Sequence, residues 1–206
     1  MKRPIIIGIA GGIASGKSLV SRMLQQQGAV VIHADQIAQQ VLDIPEVQMQ
    51  LTEVFGRDIL NEVTQSLDRK KIAERVFGDS EQAISRRRKL EGITHPRIRA
   101  RIHEELSQAK GREGLNWIVL DIPLLFESGW NLECDSVWFV DTPEEDRVAR
   151  AKQRGWREEE FRAREAAQWS IERKRAASDR VIENRGTEQA LAIAVSEASA
   201  LARKAK

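Results

Sequence analysis

Short runs of apolar, β-branched residues alternate with segments of helical periodicity at both ends of the chain, whereas the middle has only the helical pattern. Apolar runs of this length, bounded by polar or glycine residues, are typical of buried strands. Strands that alternate with helices favour a parallel sheet with helices on its faces. The sequence therefore predicts an α/β fold, with strands at residues 5–7, 29–32, 117–120, 137–140 and 180–182.

The middle of the chain, residues 43–114, has apolar residues at helical intervals and no run that indicates a strand. Asp68 precedes one of these helical segments in a position suited to an N-cap. A helical block of this length exceeds an ordinary crossover between parallel strands. We interpret residues 43–114 as an inserted substrate-binding region, and residues 1–42, 115–142 and 178–206 as a nucleotide-binding core.

Residues 143–177 are predicted to form two polar helices that act as a lid. Thr142 is suited to cap the first helix, because Pro143 follows it and Glu145 completes a capping box. Gly155 is expected to end that helix. The second helix is predicted from about residue 158 to residue 177.

The segment after the first strand fits the phosphate-loop pattern G-x-x-x-x-G-K-[ST] at every fixed position. Backbone N–H groups of such a turn converge on an anion, and the following helix adds the positive end of its dipole. Lys17 can reach the outer phosphates, and the Ser18 hydroxyl can bind magnesium. The sequence thus predicts a nucleoside triphosphate site formed by Gly11, Gly12, Ile13, Ala14, Ser15, Gly16, Lys17, Ser18 and the adjoining Leu19.

Two carboxylates follow predicted strands, which is where ligands bind in open α/β sheets. Asp35 can act as the base that accepts the proton of an attacking hydroxyl, or it can be the N-cap of a helix over residues 36–42, and the two roles are compatible. Asp121 has the position of a Walker-B carboxylate that holds magnesium, or it ends its strand in a turn with Pro123. Glu127 is a further candidate for the same cleft.

Three arginines, Arg147, Arg150 and Arg154, have spacings that place them along one face of the first lid helix. Arginine suits bidentate phosphate contact and the neutralisation of charge during phosphoryl transfer. The alternative is a solvated face in which these arginines pair with the acidic residues at positions 144–146.

A second basic group lies at residues 86–89, with Arg97, Arg99 and Arg101 further along the chain. It can be a nucleic-acid surface, a pocket for a phosphorylated small molecule, or a charged outer face. Acidic residues interleave with it and aromatic residues do not accompany it, so we expect no nucleic-acid partner. His95 lies in the same region, which is the candidate acceptor-binding part of the chain.

The composition is that of a soluble globular protein: 206 residues with a formal net charge of only +2. The single cysteine, Cys134, excludes an internal disulfide framework and suits a reducing compartment. No apolar stretch has the length of a membrane span, and glycines interrupt the one that resembles a signal peptide. We expect a cytoplasmic protein without a membrane partner; the sequence carries no signal for its oligomeric state.

These motifs, taken in order, resemble those of the dephospho-coenzyme A kinase family. The run from Asp121 to Glu127, D-I-P-L-L-F-E, and the segment H-P-R-I that starts at His95 are more specific than the phosphate loop, which many families share. The resemblance covers about residues 6–191 and rests on residues 8–18, 34–38, 67–69, 76–77, 93–98, 121–127 and 179–186.

The resemblance implies a P-loop kinase fold, with a five-stranded parallel sheet flanked by helices, a helical substrate-binding insert and a helical lid. It implies transfer of the γ-phosphoryl group of ATP, with Mg²⁺, to the ribose 3′-hydroxyl of dephospho-coenzyme A. Asp35 is then the base, one of the three lid arginines closes over the transferring group, and Asn184 adds to the nucleotide site. The implied substrate contacts are His33, Asp35, His95, Arg97, Asp121 and Leu124.

Three positions depart from the family pattern: His33 replaces an acidic residue, Ala14 a glycine, and Leu19 a polar residue. A methyl group at position 14 is tolerated if the φ angle there is negative, and on that basis we expect ATP binding to survive. His33 is expected to alter substrate contacts or the pKa of Asp35, and Leu19 is expected to pack inward.

Two alternatives to this function stay open. Another P-loop kinase, acting on a different nucleotide or nucleoside, would share the loop and the lid. A regulatory NTP-binding switch or a nucleic-acid-stimulated ATPase would hydrolyse the nucleotide without an acceptor.

Overall fold

A computed structural model describes residues 3–78 and 80–204 of the chain. The chain divides into two compact units, one from the ranges 1–33 and 106–206 and the other from residues 34–105. The second unit begins and ends earlier in the chain than the predicted insert, residues 43–114. The predicted lid, residues 143–177, lies within the first unit.

The first unit contains a five-stranded sheet in which all neighbouring strands are parallel. The strand that precedes the phosphate loop is central, and the spatial order is β2-β3-β1-β4-β5. Buried β-branched and aromatic residues dominate the inner strands, as expected where helices cover both faces. The strands are β1 (Ile5–Gly11), β2 (Val30–His33), β3 (Trp117–Asp121), β4 (Ser136–Asp141) and β5 (Arg180–Glu183).

α-Helices make up most of the remaining regular structure, together with short 3₁₀ helices at Arg57–Ile59 and Trp130–Glu133. Asp68 caps one of them, as predicted: its Oδ1 accepts from the backbone nitrogens of Lys70 at 3.0 Å and Lys71 at 3.2 Å. The helices are α1 (Lys17–Gln26), α2 (Ala34–Leu42), α3 (Pro45–Phe55), α4 (Arg69–Val76), α5 (Glu81–Lys110), α6 (Glu144–Gln153), α7 (Glu158–Ala166), α8 (Ile171–Ala176) and α9 (Glu188–Lys204).

One face of the sheet packs against α1 and α9. Ile7 and Ile9 point to the same side because side chains alternate along a strand, and both are fully buried. Leu19 packs partly buried against this core, as expected. The core is closed by Trp117 and Trp138 from the strands and by Val20, Leu24, Leu191 and Val195 from the two helices. It fixes the start of α1, and with it the phosphate loop.

The structure corrects two predictions about the lid segment. The residue before α6 is Pro143, and no side chain caps this helix, so the capping box predicted for Thr142 is wrong. The polar helix predicted over residues 158–177 is two helices, α7 and α8, with a break at residues 167–170. Gly155 follows the end of α6 with φ +83°, as predicted.

Cys134 is a packing residue. Its Sγ contacts the carbonyl oxygen of Trp130 at 3.4 Å. Burial, reinforced by the neighbouring Asp135, raises the pKa of the thiol to about 12, so the reactive thiolate is not populated near neutral pH. Across residues 3–78 and 80–204, no helix combines the length and apolar composition needed to cross a membrane.

Candidate active site

The carboxyl ends of the strands lie at one edge of the sheet because the strands are parallel. The phosphate loop, residues 11–18, follows β1 at this edge. His33 and Asp121 are the last residues of β2 and β3, and Thr142 and Asn184 come directly after β4 and β5. The sheet thus brings the predicted site residues His33, Asp121 and Asn184 to one edge, although they are far apart in the sequence.

The phosphate loop leads into α1 through a left-handed turn at Gly16, whose φ is +93°. Ala14 also has a positive φ, +57°. We expected ATP binding to survive on the premise that φ at this position is negative, and that premise is wrong. A side chain in this region costs on the order of 1 kcal/mol relative to glycine, so the loop holds its shape against a local strain.

Lys17, in the first turn of α1, folds back over the loop. Its Nζ donates to the carbonyl oxygens of Gly12 at 2.9 Å and Gly11 at 3.3 Å. The ammonium group is therefore held at the loop that is predicted to bind phosphates. Ser18, the next residue, is exposed.

Side chains from the neighbouring strand ends support the loop from outside. The hydroxyl of Thr142 donates to the carbonyl oxygen of Ser15 at 2.7 Å, and the amide Nδ2 of Asn184 donates to the same oxygen at 2.8 Å. Nη1 of Arg150 approaches the carbonyl oxygen of Ala14 at 3.4 Å. Asn184 was expected near the nucleotide, whereas Thr142 was expected only to cap a helix.

Arg147 packs against the loop at Gly12. A Cβ at position 12 would lie 2.6 Å from Arg147 Nη1, so the absence of a side chain permits this approach. The guanidinium is buried, ion-pairs with Glu165, and lies 5.5 Å from the centre of the Phe161 ring. Its Nε donates to the carbonyl oxygen of Thr142 at 3.2 Å. Arg147 therefore joins α6 and α7 to the loop.

The other two lid arginines have different surroundings. Arg150 is half-buried beside the loop, and Arg154 is exposed at the C-cap of α6. Burial thus falls steadily from Arg147 to Arg154, although the helical spacing predicted one face for all three.

Asp121 and His33 are paired across adjacent strands. They are register partners in β3 and β2, and Asp121 Oδ2 lies 3.3 Å from His33 Nδ1. Asp121 is almost completely buried, in agreement with a strand-end carboxylate. His33, one of the departures from the family pattern, therefore contacts this carboxylate in the first unit.

The candidate magnesium ligands are hard oxygen donors. Asp121 supplies a carboxylate, of which one oxygen faces His33, and Ser18 supplies an exposed hydroxyl. Magnesium commonly binds one or two carboxylates together with substrate phosphates and waters. The donor set fits such an ion. It does not form a metal cage by itself: the described residues contain no group of three or more His, Cys, Asp or Glu side chains that can hold a metal.

Glu127 contacts the segment around α8. Its Oε1 accepts from the backbone nitrogen of Trp169 at 2.9 Å and pairs with Nζ of Lys174 at 3.0 Å. Burial by itself raises the pKa of Glu127, but these hydrogen bonds and the lysine charge outweigh it and lower the pKa. Lys174 is only 2% exposed and also donates to Gln168 Oε1 at 2.7 Å.

An aromatic stack extends this contact. Phe126 and Trp169 are parallel, with ring centres 5.3 Å apart and planes inclined by 8°. The guanidinium of Arg173 lies 3.4 Å from the centre of the Trp169 ring. Leu124, a predicted substrate contact in the same turn, is 43% exposed.

The second unit contains the candidate base and two further substrate candidates. Asp35 is exposed within the first turn of α2, which begins at Ala34. Asp35 is therefore a residue of the helix and does not precede it, so the alternative that Asp35 is the N-cap is wrong. A negative charge in this turn is still favourable for the helix dipole.

His95 and Arg97 lie on α5, which continues through Pro96. His95 is exposed and borders a cavity of about 340 Å³ that Leu42 and Phe77 also line. Arg97 donates to the carbonyl oxygen of Ile93 at 2.7 Å and borders a different cavity of about 500 Å³. These two residues thus border different cavities of the second unit.

The basic residues of α5 have contacts within the second unit. Arg87 donates to the carbonyl oxygens of Val76 at 3.1 Å and Gly78 at 3.0 Å, which closes the end of α4. Arg101 pairs with Glu104 at 2.7 Å. These contacts favour the charged-surface alternative for this group.

Comparison with known proteins agrees with the geometry. A sequence profile of the dephospho-CoA kinase family matches residues 5–190. The chain belongs to the dephospho-CoA kinase family. The predicted family and the P-loop kinase fold are therefore confirmed.

Similar proteins include a dephospho-CoA kinase of Rhodopirellula baltica, 43% identical over 186 residues, which cover 90% of this chain and 85% of the relative. One from Deinococcus radiodurans is 42% identical over 189 residues, or 91% and 87% of the two chains. The solved dephospho-CoA kinase of Campylobacter jejuni superposes with a TM-score of 0.67 at 28% identity, with 94% of each chain covered. A solved Thermus thermophilus protein gives 0.79 at 36%, covering 97% of this chain and 98% of its own.

Two residues of this dephospho-CoA kinase family member were not found from the sequence. Thr142 was assigned to a helix cap, although its hydroxyl contacts the phosphate loop. Lys174 is one of many charged residues in a polar segment, and nothing in the neighbouring sequence indicates that it is almost completely buried. Glu127 was a candidate for the cleft next to Asp121; its contacts with Trp169 and Lys174 were not predicted.

Proposed function

We propose that the chain transfers the γ-phosphoryl group of ATP to the ribose 3′-hydroxyl of dephospho-coenzyme A, the reaction of its family. The observation that carries this proposal is the phosphate loop with Lys17 folded over it, at the strand edge that also holds Asp121. Catalysis of phosphoryl transfer is mainly positioning and electrostatic stabilisation, which such a loop supplies.

The donor side consists of the loop and Lys17. The backbone N–H groups of residues 12–18 bind the β- and γ-phosphates, with the helix dipole of α1 behind them. Lys17 exchanges its contacts with Gly11 and Gly12 for phosphate oxygens. Asn184 serves this nucleotide site from its outer side.

Ser18 and Asp121 would hold magnesium together with the nucleotide. When bound, it neutralises part of the charge on the phosphates. His33 occupies one oxygen of Asp121 and thereby orients the carboxylate.

The acceptor side is assigned to the helical region, with residues 143–177 as the lid. Asp35 accepts the proton of the 3′-hydroxyl while the hydroxyl oxygen forms a bond to the γ-phosphorus and the bond between that phosphorus and ADP breaks. His95, Arg97 and Leu124 are assigned as contacts to the substrate.

Among the lid arginines, Arg150 is assigned to the transferring phosphoryl group. It lies beside the loop and is partly exposed. Arg147 is buried in an ion pair with Glu165, and Arg154 is exposed at the far end of α6.

A cytoplasmic location stays a prediction.

The test is release of ADP in a coupled assay, with and without dephospho-coenzyme A. We expect release to depend on this acceptor, and to fall at least a hundredfold in Lys17→Ala. Lys152→Ala, which removes an exposed lysine of α6, is the matched control and should retain activity.

Two results would reject the proposed function. Equal ADP release with and without the acceptor would indicate an NTPase. Release that requires a different nucleoside or nucleotide would indicate another P-loop kinase.

A further inference from the structure

One backbone oxygen of the phosphate loop accepts two hydrogen bonds from side chains. The carbonyl of Ser15 receives the hydroxyl of Thr142 at 2.7 Å and the amide of Asn184 at 2.8 Å. Thr142 is 7% exposed and Asn184 is 4% exposed. A carbonyl oxygen has two lone pairs, so these two donors satisfy it completely.

The orientation of this carbonyl fixes a loop N–H group. The carbonyl of Ser15 and the N–H of Gly16 belong to one planar trans peptide and point in opposite directions. Donors that hold the carbonyl on the outer side of the loop therefore direct the Gly16 N–H the other way. Gly16 needs such a restraint, because glycine by itself has little preference for the φ of +93° found here.

The two donors are anchored by the sheet. Thr142 follows β4 and Asn184 follows β5, where Asp141 and Glu183 are register partners. The backbone nitrogen of Asn184 also donates to the carbonyl oxygen of Asp141 at 2.8 Å. The backbone of both residues is thus placed by the pairing of β4 with β5, outside the loop itself.

The loop is shaped to receive Asn184. A Cβ at position 16 would lie 2.6 Å from the Nδ2 of Asn184. Glycine at this position therefore allows the amide to reach the carbonyl of Ser15. The same residue supplies the N–H group and the space for the side chain that orients it.

We propose that Thr142 and Asn184 are positioning residues for ATP, which act together through the Ser15–Gly16 peptide and not by touching the nucleotide. The proposal rests on the proposed function only in taking the phosphate loop as the ATP site. Because either donor alone still holds the carbonyl, loss of both should cost more than the product of the single losses.

The test is a double-variant cycle on the Kd for ATP, measured by calorimetry with magnesium and without acceptor. We expect Thr142→Val and Asn184→Ala each to raise Kd roughly three- to tenfold, as for loss of one hydrogen bond. The double variant should exceed the product of these two factors at least threefold. Thr142→Ser keeps the hydroxyl and should stay within about twofold of the parent chain.

Ser199→Ala is the matched control, because it also removes a buried hydroxyl that donates to a backbone carbonyl, that of Val195 at 2.8 Å. Its Kd should be unchanged. A double variant equal to the product of the single effects would overturn the proposal and indicate that Asn184 contacts the nucleotide directly. A rise in Ser199→Ala equal to that in Thr142→Val would also overturn it.

These outcomes are independent of the acceptor. If the parent chain binds ATP and the cycle shows the expected excess, but dephospho-coenzyme A accepts no phosphate, then the proposed function fails and the positioning roles stand. If transfer occurs and the cycle shows no excess, the positioning roles fail and the proposed function stands.

Discussion

The phosphate-loop edge of the sheet and the helical unit, residues 34–105, present their polar groups in different ways. At the loop, the buried side chains of Thr142 and Asn184, which follow two other strands, donate to the loop backbone at Ser15. In the helical unit, Asp35 and His95 are exposed on helices. Preorganised dipoles stabilise developing charge without reorganising during the reaction. The comparison teaches that the candidate phosphate site is built from contacts between elements of the first unit, whereas the candidate acceptor residues Asp35 and His95 are exposed side chains on helices.

The sharpest way to break this comparison is to remove the proposed base. Asp35→Asn should lower kcat about a thousandfold, because it removes a proton acceptor, and should leave the Kd for ATP nearly unchanged. The measurement is a steady-state assay combined with ATP calorimetry. Glu46→Gln, which alters another exposed first-turn acid, in α3, is the control and should keep full activity. Equal losses of turnover and ATP affinity would assign Asp35 a structural role.

The buried ion pair between Lys174 and Glu127 allows a test of how far the stability of the first unit depends on its internal polar contacts. Lys174→Met leaves the Glu127 carboxylate without its cation, and we expect a loss of about 3 kcal/mol in the free energy of unfolding. Urea denaturation measures this loss, and Glu127→Gln in the Lys174→Met background should restore part of it. Lys152→Met, which removes an exposed partner of Glu158, should have little effect. A similar loss in both lysine variants would contradict the distinction.

The same pair has a defined pH dependence. The pKa of Glu127 is lowered in the folded chain, so the folded state favours the ionised carboxylate. Its stabilising contribution is fully present above the unfolded pKa of about 4.3 and is lost as the pH falls through the lower folded pKa. The stability difference between the parent chain and Glu127→Gln should therefore shrink below about pH 4.3. A difference that grows in acid would contradict the assignment.

The lid arginines sharpen the comparison on the donor side. Arg150→Ala should reduce kcat about a hundredfold, because a cation beside the loop is lost, while the unfolding midpoint changes little. Arg154→Ala, the matched variant one helical turn further on, should change kcat less than threefold. If Arg154→Ala is the more damaging variant, the phosphoryl group is contacted from the far end of α6.

The smallest expected effect concerns strain in the loop. Ala14→Gly should stabilise the chain by up to about 1 kcal/mol, because glycine adopts a positive φ without steric cost. Ala163→Gly, in the exposed face of α7, should instead destabilise by about 1 kcal/mol. Urea denaturation of both variants gives the comparison, and a loss of stability in Ala14→Gly would show that the loop carries no such strain.

What the sequence predicted correctly depends on short-range patterns. The phosphate loop is defined by spacing within eight residues, and the strands by local runs of apolar residues. The Asp68 cap is also local, since its partners are two and three residues away. Such features need no knowledge of the rest of the chain, and the structure contains all of them.

The features that the sequence could not predict depend on distant partners. Thr142 contacts a residue 127 positions away, and this long-range bond replaced the local capping box that the motif indicated. The burial of Lys174 depends on Glu127, 47 positions earlier in the chain (174 − 127). Ala14 has a positive φ because the rest of the phosphate loop fixes its backbone, although alanine by itself prefers a negative φ. Arg97 and Leu124 were assigned as substrate contacts by family resemblance, whereas Asp35 was also indicated by its position after a predicted strand.

The weakly reactive thiol of Cys134 can serve as a natural probe of local opening in the folded chain. The pKa of its thiol is raised in the native state, and the thiol becomes an ordinary, alkylatable group once the packing around it opens. Because no other cysteine competes for reagent, the rate of modification by iodoacetamide follows the opening of the packing between Cys134 and β1 at Gly8. Ligands that tighten the nucleotide core should slow that chemistry, without any label having to be engineered into the chain.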